Sequence, residues 1–220
     1  MAQDKTRWQK AQSAEFNFWK QKYTPPEKYS ERFVEAELKK IGLNLASFRH
    51  KTVLEIGCGP KGPINFLPPG KKYGLDPLMD EYLESGCYSK KDVEYIKGKG
   101  EKTDFESNFF DIVICYNVLD HCEDPIKTLN EVWRILKKNG VLFLEVHVVK
   151  NVGPFLVRLL NRSDTCHPHH FKARSLKKEL IKSNFKIESE RLIPFTSNRS
   201  LPVRVVRKMF WEQYYVLAKK

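Results

Sequence analysis

Residues 53–62 read VLEIGCGPKG: three aliphatic residues around one carboxylate, Glu55, followed by glycines at 57, 59 and 62. A short buried strand that runs into so many glycines must turn where side chains would collide with something. A glycine-rich turn that ends a strand and opens a helical stretch lets backbone approach a ligand closely. One acid stands inside the strand, two residues before Gly57. Another, Asp76, ends the next apolar run in KKYGLD, nineteen residues after Gly57. A carboxylate at that carboxyl edge can accept both hydroxyl protons of a ribose, so the spacing selects a nucleoside. A dinucleotide fits less well, because Pro60 and Lys61 stand where a pyrophosphate turn wants small residues and Glu55 would repel a phosphate. A ligand that joins a nucleoside to an amino group or cation, such as S-adenosylmethionine, meets both conditions.

Outward from this turn the chain alternates short β-rich runs with helical stretches: TVLEI, KKYGLD, VEYIK, FDIVICYN and VLFLEVHVV, then FKIESERLI and FWEQYYVLAKK. The near-continuous apolar character of the central runs implies burial on both faces, as in a parallel sheet with right-handed crossovers. DPIKTLNEVWRILKKNG reads as a helix with Pro125 near its start, Lys137 and Lys138 near its end and Gly140 beyond it. VGPFLVRLLN and ARSLKKELIKSNF are expected to be further helices. Residues 1–50 hold no strand pattern. They suggest one helix rich in aromatics (Trp8, Phe16, Trp19, Tyr23), a break at Pro25 and Pro26, and a second helix from about Ser30 to Ile41.

At 220 residues one α/β domain is expected. The formal charge is +12, spread unevenly. Residues 1–50 hold 10 basic and 6 acidic side chains, residues 51–150 hold 14 and 16, and residues 151–220 hold 15 and 5. The last third would therefore draw an anionic partner, although a solvated basic face explains the same charge. Arg158, Arg162, Lys172, Arg174, Arg191, Arg199, Arg204 and Arg207 carry that bias. Five cysteines (Cys58, Cys87, Cys115, Cys122 and Cys166) without a CxxC pair suggest reduced thiols. With no signal-like N-terminus and no apolar run long enough for a bilayer, a cytoplasmic protein without a transmembrane segment is expected, peripheral membrane contact being left open.

In order along the chain, E-x-G-x-G-x-x-G, G-L-D-P, FDIVICYNVLDHCEDP and GVLFLEV resemble the class I S-adenosylmethionine-dependent methyltransferases, specifically the small-molecule, type 11-like group. The resemblance covers roughly residues 50–150. It implies an α/β, Rossmann-like, doubly wound seven-stranded sheet, mainly parallel with an antiparallel last strand, plus an N-terminal helical extension. Residues 1–50 would form a helical cap and 51–220 the methyltransferase domain, with a substrate lid near 150–175. It also assigns cofactor roles. Gly57, Cys58 and Gly59 would pack under the methionine part, Glu55 would hold the turn or, through water, the amino group, and Asp76 would take the ribose. Pro77 or Leu78 would flank the adenine. The loop that often carries an adenine-binding aspartate reads Gly98-Lys99-Gly100-Glu101 here, which leaves Gly100 and Glu101 as candidates. Asn117 would face the methionine moiety.

Transfer to a hydroxyl needs a base, and histidine is the obvious one. His121, four residues after Asn117, and His167, in SDTCHPHHF beside Asp164, lead; His170 comes next, His147 is expected in the core and His50 at the surface. Asp164, Cys166, His167, His169 and His170 could ligate a metal, but adjacent His169 and His170 cannot easily turn to one ion and Pro168 stiffens the run, so no metal is expected. The expected acceptor is small and anionic, a nucleotide- or lipid-linked sugar hydroxyl first. HPHHF and the N-terminal preface resemble, more loosely, methyltransferases of bacterial glycan synthesis. The alternatives are an RNA methyltransferase, which lacks the N/D-P-P-Y and Pro-Cys signatures of base methylation, and a catalytically silent binding module. The oligomeric state is not indicated.

Overall fold

The structure is a computed structural model that describes residues 6–22, 30–60, 62–86, 92–150, 153, 157–158, 167–194 and 210–220. Tyr23, the proline break at 25–26, Cys87, Asp164, Cys166, Arg162, Arg199, Arg204 and Arg207 lie outside them, as do most of the expected 152–161 helix and half of the 150–175 lid.

Seven strands form one sheet: β1 (Thr52–Ile56), β2 (Lys71–Asp76), β3 (Glu94–Lys97), β4 (Phe110–Tyr116), β5 (Leu136–Val149), β6 (Lys186–Pro194) and β7 (Trp211–Lys219). Their spatial order is β3-β2-β1-β4-β5-β7-β6. The pairs from β3 to β5 are parallel, and β7 runs antiparallel to both β5 and β6, so the expected topology is present. The order reverses between β1 and β4. In open α/β sheets ligands bind at such a switch point, outside the carboxyl ends of the strands.

Alternation along the central strands builds two cores. Leu54, Ile56, Val113, Cys115, Leu142 and Leu144 face α4 (Pro125–Ile135) and α5 (Ala173–Lys182). Val53, Ile112, Ile114 and Phe143 face the other way, onto Val34 and Leu38 of α2 (Glu31–Lys39) and Met79 of α3 (Met79–Glu84). The helical extension begins with α1 (Arg7–Lys22), and Ser30 caps α2 by accepting the Phe33 N–H. Glu37 then ties α2 to the sheet. Its carboxylate accepts Tyr116 Oη–H at 3.0 Å, Tyr215 Oη–H at 2.6 Å and Lys40 Nζ–H at 2.6 Å.

One boundary departs from the sequence reading. α4 ends at Ile135 rather than near Lys138, and residues 136–140 already belong to β5. Fully buried Leu136 leaves the helix with ψ 138° and pairs with Phe110 of β4, and Asn139 takes a left-handed φ of 63°. Sheet pairing and burial of Leu136 outweigh the helix-ending signal of the two lysines.

Candidate functional site

The turn after β1 starts at Gly57, whose φ is +64°. A Cβ there would lie 2.0 Å from Val118 Cγ2, so the segment after β4 leaves no room for a side chain. The Gly57 and Cys58 N–H groups both donate to the Leu75 carbonyl, which fastens the turn to β2. Gly62 closes it. A Cβ at that position would meet the Cys58 carbonyl at 2.4 Å and both Glu55 carboxyl oxygens within 2.6 Å.

Glu55 therefore lies under the turn, 1% exposed, accepting the Ile64 N–H at 2.7 Å. It does not line the cavity above. Burial raises its proton affinity well above the usual carboxylate range, partly offset by the Ile64 N–H. Of its two expected roles, holding the turn is the one its hydrogen bond to Ile64 serves directly, since the other would act from outside the cavity lining.

Asp76 ends β2 at the cavity wall. Its Oδ2 accepts the Gly59 N–H at 3.0 Å and its Oδ1 the Leu78 N–H at 2.9 Å. Burial pushes its pKa up to about 6, with these two N–H groups opposing the shift. The carboxylate is thus oriented by backbone, and each oxygen retains further acceptor capacity.

The cleft at this carboxyl edge encloses about 940 Å³ with its open mouth included. Gly57, Cys58, Gly59, Asp76, Pro77, Gly100, Glu101, Asn117 and His121 all line it. Glu101 also braces the neighbouring loop, since its Oε1 accepts the Glu123 and Asp124 N–H groups at 2.6 and 3.0 Å, and Asp124 in turn caps α4. Asn117 sits at the end of β4 in the left-handed region (φ 51°), its N–H donated to the Glu145 carbonyl. Its buried Oδ1 has no hydrogen-bond partner among the described residues.

His121 shows the cavity only part of its ring, 13% exposed. His167 stands behind it, ring centroids 4.7 Å apart, and His170 behind His167 at 6.3 Å. Neither His167 nor His170 lines the cleft. His170 packs on Trp211 and is 5% exposed. The expected trio is thus brought into one row, with only its first member at the cavity wall. His147, in β5, is partly exposed rather than in the core, its Nε2 3.8 Å from Glu145 Oε1, and His50 is exposed as expected. Glu145 is itself 1% exposed, and burial and nearby Asp120 push its pKa to about 8.

The sequence reading missed one whole wall. Trp8, Gln12, Glu15 and Trp19 of α1 line the cleft opposite the sheet edge, beside Tyr82 and Lys99. Their spacing, i, i+4, i+7 and i+11, places them on one helix face and was the available signal. Lys99 Nζ lies 3.9 Å from the Trp8 ring centroid and 2.7 Å from Glu123, joining α1 to the loop after β3. Asp120, 2% exposed and next to His121, was also passed over.

A family profile described as a methyltransferase domain matches residues 54–144. A thiol S-methyltransferase of Rattus norvegicus is 33% identical over 109 residues, 46% of this chain and 45% of that protein. A tRNA U34 carboxymethyltransferase of Campylobacter jejuni is 32% identical over 108 residues, 46% of this chain and 37% of that one. The chain thus spans less than half the length of these relatives. A putative methyltransferase of Bacillus halodurans superposes with a TM-score of 0.64 at 18% identity over 84% of this chain and 99% of its own, which shows the fold alone. The profile begins in β1 and ends in β5, the part of the sheet whose carboxyl edge builds the cleft, so what residues 54–144 match is a methyltransferase domain.

Proposed function

We propose that the protein methylates a small, anionic acceptor, a nucleotide- or lipid-linked sugar hydroxyl being the first choice, and that the acceptor meets the cofactor beside Asn117 and His121. The observation that carries the methyltransferase reading is the pairing, in one cleft, of a glycine turn too tight for side chains with a backbone-oriented carboxylate, Asp76. S-adenosylmethionine supplies an activated methyl group and its own leaving group when bound. The residues present fit it. Asp76 would accept the ribose hydroxyls, the glycine turn and Asn117 Oδ1 would hold the amino acid end, and Leu78, Gly100 and Glu101 would border the adenine. Residues 1–50 act as a cap, since α1 contributes Trp8 and Trp19 to the far wall. Glu55 is a positioning residue beneath the turn.

A hydroxyl or thiol acceptor must lose its proton as the new bond forms. His121 is at the cleft wall, so deprotonation is assigned to the His121–His167 pair, with His170 supporting the row. The charge of residues 151–220, 15 basic against 5 acidic side chains, supports an anionic acceptor. The same charge and the tRNA-modifying relatives favour RNA as a second reading.

Transfer of labelled methyl groups from S-adenosylmethionine to small-molecule and RNA fractions tests both readings. Label in a nuclease-resistant, low-mass product is expected. Label lost on nuclease treatment, with retention on RNA that falls steeply with salt, would move the assignment to RNA. Saturable cofactor binding with no transfer to either fraction would make the chain a binding module.

A further inference from the structure

Among the described residues, the groups of histidine, cysteine and carboxylate side chains that could share one ion reduce to Asp120, His121 and His167, whose ligand atoms all lie within 4.8 Å of one another. This set differs from the 164–170 cluster that the sequence suggested, since two of its members come from the turn after β4. Asp120 and His121 sit in the single helical turn Leu119–His121, closed by the His121 N–H donating to the Val118 carbonyl at 2.9 Å. His167 reaches them because the His169 N–H donates to the Asp120 carbonyl at 3.2 Å, while the Val149 N–H donates to the Phe171 carbonyl and anchors the other end of the segment on β5. The fold thus fixes both halves of the cluster by backbone.

The half that comes from the β4 turn carries unsatisfied atoms. Asp120 Oδ1 and His121 Nδ1 are buried without a hydrogen bond among the described residues, and so is Oε2 of nearby Glu145. Oδ2 of Asp120 lies 4.0 Å from His121 Nε2, too long for a hydrogen bond. A buried carboxylate without donors is costly unless a cation neutralises it. Two imidazoles and one carboxylate are a donor set for borderline divalent ions, whereas magnesium and calcium favour oxygen donors alone. Bonds of about 2.0–2.2 Å need ligand atoms about 3–3.5 Å apart, so an ion would draw the three side chains closer than their present spacing of up to 4.8 Å.

We infer that Asp120, His121 and His167 form a site for one first-row divalent transition ion, its open position facing the acceptor end of the cleft beside Asn117. The inference deepens the proposed function and rests on it for the ion's role. A bound ion would hold the acceptor's oxygen or sulfur and favour its deprotonated form, the proton passing to water, so that His121 acts as a ligand rather than a free base. It also narrows the acceptor to groups with such an atom.

The test titrates chelator-treated full-length protein with Co²⁺ and with Zn²⁺, and measures S-adenosylhomocysteine binding by calorimetry on the same samples. One equivalent of Co²⁺ with visible ligand-field bands, displaced by Zn²⁺, is expected. His167→Ala and Asp120→Asn, which sit on different segments, should each weaken Co²⁺ binding at least about tenfold while retaining the wild-type melting profile. Should one of them fail to fold, the other carries the test. Absent bands, or Co²⁺ affinity unchanged in the folded variants, as for scattered surface histidines, would overturn the site. S-adenosylhomocysteine binding together with that result leaves the methyltransferase reading standing. Its failure to bind, with a normal Co²⁺ spectrum, overturns the proposed function and spares the metal site.

Discussion

The two halves of the cleft are built on opposite terms. At the β1–β2 edge both carboxylates are engaged by backbone: Glu55 holds the Ile64 N–H, and Asp76 holds those of Gly59 and Leu78. At the β4–β5 edge, Asn117 Oδ1, Asp120 Oδ1, His121 Nδ1 and Glu145 Oε2 are buried with no partner among the described residues. Fully hydrogen-bonded polar groups make a rigid, preorganised surface, while buried groups without partners are costly and persist where a ligand repays them. On the proposed function, the first half is the preorganised seat of the cofactor and the second is the side that the acceptor meets.

The sharpest way to break this contrast is at the seat. Gly57→Val must place branched carbons where φ is +64° and Val118 already fills the space. Strain of about 1–3 kcal/mol from the backbone alone, added to the overlap, should abolish S-adenosylhomocysteine binding while leaving the far-UV circular dichroism near native. Equal loss of secondary structure would make Gly57 a folding residue instead.

Asp76→Ala comes next, with an expected loss of about 2–4 kcal/mol in cofactor affinity from two charge-assisted hydrogen bonds. The same carboxyl sets a pH dependence. Its folded-state pKa, about 6, lies above the ordinary 3.8, so the folded apo protein holds this proton more tightly than the unfolded chain does. Its contribution to apo stability is therefore present below about pH 4 and lost as pH rises through about 6. Cofactor affinity should move oppositely, rising through the same window as the ionised form becomes available to the ribose. Calorimetric titrations across that range check it, and Asp76→Asn should flatten the curve.

These two residues were legible in the sequence because their signals are local. The glycine spacing and the acid at the end of the next strand require no tertiary knowledge, and the parallel sheet followed from near-continuous apolar strands. The α1 wall was half visible: Trp8 and Trp19 were noticed as aromatics, but which face they present depends on docking over the distant loop that holds Lys99. The Asp120–His121–His167 cluster was not legible as a unit, since β5 and the His169 N–H bond bring together segments far apart in the chain. The end of α4 was misread because Lys137 and Lys138 look like a helix terminus, whereas the pairing of Leu136 with Phe110 is non-local.

A perturbation outside both halves sharpens the comparison. Glu37→Ala would strip Tyr116, Tyr215 and Lys40 of their shared acceptor. A loss of about 2–3 kcal/mol in stability is expected, seen as a lower melting temperature, with cofactor affinity unchanged once folded. The smallest effect is expected at Trp8→Ala. Removing the ring under Lys99 should cost about 0.5–1.5 kcal/mol in cofactor affinity, read by calorimetry as a weakening of several fold, and an unchanged affinity would remove α1 from the site.

The central claim, that the β1–β2 edge seats a nucleoside cofactor, is tested most directly by titrating S-adenosylhomocysteine into the wild type and Asp76→Ala under identical conditions. One saturable site per chain, weakened strongly by the substitution while the fold survives, is the predicted result. No saturable heat with the wild type, or equal affinity in the two proteins, would contradict it.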